Sequence, residues 1–384
     1  MGMGTEKAIA LPNIVSVTIL GVLGGFIPLL QPLLLGALAE AGRIDASNIG
    51  WVAMAEGLAA AAGTGFASAA LKPVRLRLAL VLALTVALAM NVLTMQATGV
   101  LPLVVIRLCH GVACGILIWI FVTMLTRIPG PARLLAIFAT AMSSSALLFA
   151  YILSTLLLPR YGATSGYALI AILDALGLLL LPIFPRGFAL VAGGKGPGLP
   201  GGRGLVALLA VFCHFAGLLA IWVYAQPIGV ILGNSIATSR LAISAAIAAQ
   251  IVGGLSATIF APRLRALPTL ISCIGAAAVA VGIILLGGGA GLIAGLTLIG
   301  FTWMFGGSLH MAFLLQADPS TRAGLQMSTA QSLGAAAGPA MAAVTANVAG
   351  TTSVLMVGAA LFGAAIILAF ASRGEQAGLV REQC

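Results

Sequence analysis

The chain has 384 residues, of which 61% are hydrophobic and 7% charged, with 18 Lys and Arg against 8 Asp and Glu and a mean hydropathy of +1.19. A soluble domain carries about 25% charged residues, so no water-soluble core could hide this much apolar surface. The net charge of +10 is scattered singly through short loops, without the basic stripe and interleaved aromatics that nucleic-acid binding needs.

Backbone polar groups in hydrocarbon are satisfied only by helices or closed barrels. Continuous apolar runs in place of alternating segments of about ten residues point to helices. Breaks at charge, Gly and Pro place spans over residues 12–38, 46–71, 76–97, 99–126, 132–158 and 162–185, then 204–232, 240–262, 266–287, 290–316, 322–348 and 351–372. The first run follows Lys7 and extends beyond a secretory hydrophobic region, so it reads as a span and not as a signal peptide. Between the sixth and seventh spans, the run from Gly193 to Gly202 is rich in Gly and Pro and cannot hold a regular helix. The expected organisation is a six-helix bundle over 1–185, a cytoplasmic linker over 186–203, a second six-helix bundle over 204–373 and a cytoplasmic tail over 374–384. The fold class is an all-α membrane protein with twelve transmembrane helices in two pseudo-symmetric six-helix bundles.

Topology follows from the loops. With the amino terminus in the cytoplasm, that side collects Lys7, Lys72, Arg75, Arg77, Arg127, Arg133, Arg186, Lys195, Arg203, Arg263, Arg265, Arg322, Arg373 and Arg381, against Arg43, Arg160 and Arg240 outside. A miscounted span would reverse this positive-inside bias, so it supports the even helix count and puts both termini in the cytoplasm of a bacterial inner membrane.

The halves repeat each other at an offset of about 190 residues. Gln31-Pro32 matches Gln226-Pro227, and Glu56, Thr64, Phe66 and Ala67 match Gln250, Thr258, Phe260 and Ala261. Arg133, Thr140, Ala141 and Ser143 match Arg322, Thr329, Ala330 and Ser332, while Gly162, Thr164 and Ser165 match Gly350, Thr352 and Ser353. The cysteines, Cys109, Cys114, Cys213, Cys273 and Cys384, have no metal-ligand spacing, and four lie in apolar runs as packing residues.

With twelve spans, a central linker, parallel repeats and a basic loop after the second span, the chain resembles the major facilitator superfamily over essentially its whole length. The loop Ala69-Ala70-Leu71-Lys72-Pro73-Val74-Arg75-Leu76-Arg77 keeps that family's basic residues and lacks its Asp and second Gly. Arg107 and Gly111 in the fourth span match the Arg-x-x-x-Gly pattern, which implies a role for Arg107 near proton coupling. The fifth span, with Thr140-Ala141-Met142-Ser143-Ser144-Ser145, lacks the Gly-Pro run of drug–proton antiporters; Gly334, Gly338 and Pro339 carry such a run in the eleventh. The seventh span is similar to a bacterial subgroup that often has an acid where Gln226 stands. The resemblance implies a proton-coupled secondary transporter working by alternating access, with a small-molecule substrate, protons and membrane lipids as partners and no nucleic acid. A monomer with no cofactor and no metal is expected.

Ionisable side chains cost about 2.5–3.5 kcal/mol each to insert at a membrane centre, so each one in a span is a functional candidate. Those in spans are Glu56, Arg107, His110, Asp174, His214 and His310. A rise of about 1.5 Å per residue puts Glu56 and Arg107 about 15 and 12 Å from the outer ends of their spans, in one layer. His110 shares the face of Arg107, and Gln31 reaches the same layer.

Glu56 is thus the candidate proton-binding carboxylate, with Arg107 and His110 as its partners; the alternative is a permanent structural ion pair. Arg107 is also a candidate for binding an anionic group on the substrate. The carboxyl half offers Trp222, Tyr224, Gln226, Gln250, Trp303 and His310, a wall of rings and amides suited to a partly apolar ligand with hydrogen-bonding groups. Asp174, in the sixth span, reads as a structural or lipid-interface acid. The histidines sit in three spans without HExxH or GxSxG context, which argues against an enzyme. Drug efflux, or a sensor or assembly scaffold on the same fold, stays open as an alternative.

Overall fold

The structure is a computed structural model that describes residues 11–71, 75–125, 131–186 and 199–373. Lys7, Lys72, Arg127, Lys195 and Arg381, most of the linker and the tail fall outside the described residues, as does the side chain of Arg133.

Among the described residues, nine helices are long and apolar enough to cross a bilayer. Three more stand between them in chain order, Ile49–Ala70, Ala163–Leu178 and Met327–Ala349. The first and last of these are rich in Gly, Ala and Ser, which lowers hydropathy without exposing charge. The order is consistent with twelve spans.

The first span is α1 (Leu11–Gly25) and α2 (Ile27–Glu40), broken at Phe26. Pro28 has no N–H to offer the carbonyl of Gly24, so the ladder is interrupted there. Then come α3 (Ile49–Ala70), α4 (Leu76–Thr94), α5 (Val100–Leu125) and α6 (Pro131–Ile152). A π turn over Leu153–Leu157 carries α6 into α7 (Leu158–Tyr161), just before Pro159 removes another backbone donor. The sixth span, α8 (Ala163–Leu178), is shorter than its apolar run because Pro182 and Pro185 follow it.

The second half begins with α9 (Gly202–Val223) and α10 (Ala225–Ile231), divided at Tyr224 ahead of Pro227. It continues with α11 (Ile236–Phe260), α12 (Ala266–Leu286) and α13 (Gly288–Ala317). The short α14 (Arg322–Leu325) precedes α15 (Met327–Ala349), and α16 (Ser353–Ala371) closes the fold.

Within each half the second and fourth spans are locked backbone to backbone through glycine. A Cβ on Gly111 or Gly115 of α5 would strike the carbonyls of Glu56 or Ala60 on α3. On the other side, a Cβ on Gly300 of α13 or Gly253 of α11 would strike Ala246 or Phe301. Without water to drive apolar association, such close approach supplies the dispersion contact that holds membrane helices together.

Contacts between the halves gather at the face opposite the chain ends, where α2 finishes and α3 starts. There the Tyr224 hydroxyl donates to the Ser47 carbonyl at 2.7 Å and accepts from the Gly50 amide at 3.2 Å. Asn347 bonds Ser47 and Asn48, and Arg240 pairs with Glu40 at 2.7 Å. A Cβ on Gly50 would collide with the carbonyl of Pro339, so α3 and α15 touch there. At the other end of α3, Gly65 has open space around it and Phe66 is 59% exposed.

Candidate functional site

The amino half encloses a polar cluster carried by five helices. Glu56 on α3 is 6% exposed and takes three donors. His110 Nδ1 lies 2.6 Å and Arg107 Nη1 3.3 Å from its Oε1, and Gln31 Nε2 donates to its Oε2 at 3.0 Å. The four residues that sequence spacing placed in one layer are therefore in contact.

Arg107 is bound further. Its Nη2 donates to Asn91 Oδ1 at 2.9 Å, to Thr94 Oγ1 at 2.6 Å and to the Met90 carbonyl at 3.3 Å, and its guanidinium lies 5.1 Å from the ring centre of Tyr167. Asn91 Nδ2 lies 2.8 Å from Asp174 Oδ2 and 3.2 Å from His110 Nε2. Asp174 is 3% exposed and bonded into this cluster from α8, so it is not a lipid-facing acid.

These contacts fix protons that the atoms themselves do not display. Arg107 can only donate, so the Asn91 oxygen faces it and the Asn91 NH2 must face Asp174 and His110. His110 Nε2 then accepts, and its proton sits on Nδ1, aimed at Glu56. A second proton on His110 would point at the Asn91 NH2, so the geometry suits the neutral imidazole.

Asn91, Thr94 and Tyr167 were missed from sequence. Asn91 and Thr94 share a face three residues apart at the end of an otherwise apolar span. A lone carboxamide in such a run was the available signal.

The carboxyl half carries a different cluster. Trp222 and Trp303 meet edge to face with ring centres 5.8 Å apart, and Phe215 contacts both Trp303 and His310. His214 Nδ1 and His310 Nε2 lie 3.0 Å apart, and Gln331 bonds the other nitrogen of His310 at 3.0 Å. His310 is thus a fully buried, paired group between α9 and α15. Gln250 on α11 is 1% exposed, and neither its oxygen nor its nitrogen has a hydrogen-bond partner among the described residues.

Tyr224 and Gln226 lie instead at the contact between halves, with Gln226 Nε2 3.3 Å from Glu40 Oε2. The Trp222 indole N–H also crosses, donating to the Pro28 carbonyl at 3.1 Å.

No family model and no curated protein matches the chain. Solved structures do. A D-xylose–proton symporter superposes with a TM-score of 0.73 at 13% identity, over 95% of this chain and 97% of its own. The nucleoside transporter NupG superposes at 0.75 with 14% identity, over 94% and 98%. The xylose transporter XylE from E. coli, in a partially occluded inward-open conformation, gives 0.70 at 14% identity over 96% and 100%. Agreement over whole chains at so little identity is an agreement of fold. The chain is an integral membrane protein with the major facilitator fold.

Proposed function

We propose that this protein is a secondary transporter that moves a small organic molecule across a bacterial inner membrane by alternating access, as a monomer with both termini in the cytoplasm. The division into bundles over 1–185 and 204–373, joined by a linker over 186–203, follows from the same reading. The observation that carries it is the hydrogen-bonded contact between halves through Tyr224, Asn347 and Arg240 at the face opposite the chain ends. With the basic loops in the cytoplasm, that is an inward-facing state.

Proton coupling is assigned to the amino half, where the cluster of Glu56, Arg107 and His110 is buried and charged. Ligand contact is assigned to the carboxyl half. Gln250 has a buried carboxamide without a partner among the described residues, an arrangement that a ligand's donors and acceptors would complete. Trp222, Trp303 and His310 supply the rings beside which a partly apolar ligand would pack, and Arg107 and Gln31 in the buried amino-half cluster, with Tyr224 and Gln226 at the contact between halves, complete the proposed site.

The superposed structures are those of xylose and nucleoside transporters, which sets the first compounds to try. Purified protein in liposomes should exchange a labelled compound from a panel of sugars, nucleosides and organic acids, and an imposed proton gradient should drive its accumulation. A protein inert across the panel would be a sensor or scaffold on this fold.

A further inference from the structure

Two carboxyls and one guanidinium share the amino-half cluster, with the imidazole between them held neutral by Asn91. Were both carboxyls ionised, the cluster would hold a net negative charge inside hydrocarbon, which is expensive. One proton restores neutrality, and the hydrogen bonds say where it sits.

Glu56 already accepts from Arg107, His110 and Gln31, three donors over both oxygens, and hydrogen bonds to the ionised form favour that form. Asp174 accepts one bond, from Asn91 to Oδ2. Its Oδ1 has no hydrogen-bond partner among the described residues and is free to carry an O–H.

We infer that Asp174 is the proton-binding carboxyl of the cluster, with Glu56 and Arg107 forming its permanent ion pair and Asn91 and His110 positioning residues between them. The charged and titratable groups around Asp174 are Arg107, His110 and Cys114 on α5, Glu56 on α3 and Tyr167 on its own helix, with α4 presenting the amide of Asn91 and α2 the amide of Gln31; the Arg43 guanidinium stands at the edge of the cluster, spent on the carbonyls of Thr94 and Met95. The step is a simple protonation. A proton from water bonds to Oδ1, the cluster passes from net −1 to neutral, and the reverse step returns the proton to water. Among the described residues no group of three or more His, Cys, Asp or Glu side chains gathers to hold a metal, so a proton suits the position better than a metal cation.

The inference rests on the transporter reading for its purpose but not for its test. The closed face reaches the cluster through α2, because the carbonyl of Pro28 accepts from Trp222 in the other half and Gln31, one turn on, donates to Glu56. Moving α2 away with the gate would take one donor from Glu56 and alter the balance that keeps the proton on Asp174.

Infrared difference spectra of the full chain in liposomes, taken between alkaline and acidic buffer without any substrate, locate the proton. A protonated-carboxyl band should appear on acidification, shift when the chain is made with carbon-13 aspartate, stay in place with carbon-13 glutamate, vanish in Asp174→Asn and survive in a variant with Asp45→Asn and Asp318→Asn. Isotope labelling leaves the charge balance intact, so a variant that fails to fold does not decide the result. A band that shifts with the glutamate label, or no band in the labelled wild-type chain, overturns the assignment. If the band behaves as expected and no compound is exchanged, the transporter reading fails and the proton site stands.

Discussion

At the residue scale, Gln31 and Gln250 are buried carboxamides with opposite circumstances. Gln31 donates to Glu56, and Gln250 has no partner among the described residues. Leaving a buried polar group short of a bond costs about 1–3 kcal/mol, and a charge more, whereas removing a group that is unpaired already relieves such a penalty. Gln31→Leu should therefore lower the thermal unfolding midpoint in detergent, and Gln250→Leu should leave it unchanged or raise it while abolishing the stabilisation given by any ligand the panel identifies. Equal loss of stability in both variants would mean that Gln250 is structural. Outside the membrane, Asp318 anchors the turn before α14, accepting from Ser320 Oγ at 2.7 Å and from the Ala323 amide at 2.9 Å. The Ser320 side chain first, then the backbone amides, hold its carboxyl below the ordinary value of 3.8. A carboxyl lowered by folding stabilises the native state above its unfolded value, and that contribution disappears as pH falls through the folded one. Unfolding midpoints of the wild type and Asp318→Asn, measured down a pH series, should differ near neutrality and converge in acid below about 4.

Residue spacing made much of this legible. The three-residue step from Arg107 to His110, with the depths of Glu56 and Gln31, was enough to assemble the core of the cluster. For Asp174 the sequence left a structural acid and a lipid-interface acid open, and its bond to Asn91 removes the second; Asn91 was missed because an amide carries no charge to attract notice. A sequence also does not say which side chains find partners, so the isolation of Gln250 needed coordinates.

At the element scale, the helix order and most boundaries follow from apolar runs, since hydrocarbon leaves the backbone few options. The breaks inside the first and seventh spans do not follow, although Pro28 and Pro227 mark them afterwards. Proline inside a membrane helix is tolerated, as Pro32 within α2 shows, so its presence alone does not place a break. The glycine contacts give a sharper test. Gly111→Val and Gly300→Val both push a side chain into the backbone of the facing helix, where nothing flexible can yield. Overpacking of this kind costs about 1–3 kcal/mol, and backbone contact argues for the upper end. Each should lower the unfolding midpoint by several degrees, and Gly65→Ala, which meets open space, should not. An unaffected Gly111→Val would mean that α3 and α5 are not locked as described.

At the scale of the whole molecule, the open question is what holds the far face shut. Two sets of bonds compete for the role. Arg240 and Glu40 form an ion pair, but the Glu40 side chain is 39% exposed, and exposed pairs contribute about 0–1 kcal/mol. Tyr224 is fully buried, and its hydroxyl serves two backbone groups on the other half. One of them, the Gly50 amide, is among the first N–H groups of α3, which have no partner inside the helix. No side chain caps α3 at Asn48, so the tyrosine supplies from the opposite half what the cap lacks. Removing a hydroxyl that leaves such groups buried and unpaired costs about 1–3 kcal/mol, but only while the face is closed, because water satisfies them once it opens. Tyr224→Phe should therefore favour separation of the halves at this face by roughly tenfold, since about 1.4 kcal/mol is a factor of ten, and Glu40→Gln should favour it less. Spin labels on cysteines placed at Asp45 and Val348, in a chain with its native cysteines replaced, would read the opening as a longer distance population. A larger shift in Glu40→Gln than in Tyr224→Phe would transfer the latch from the buried hydroxyl to the surface pair.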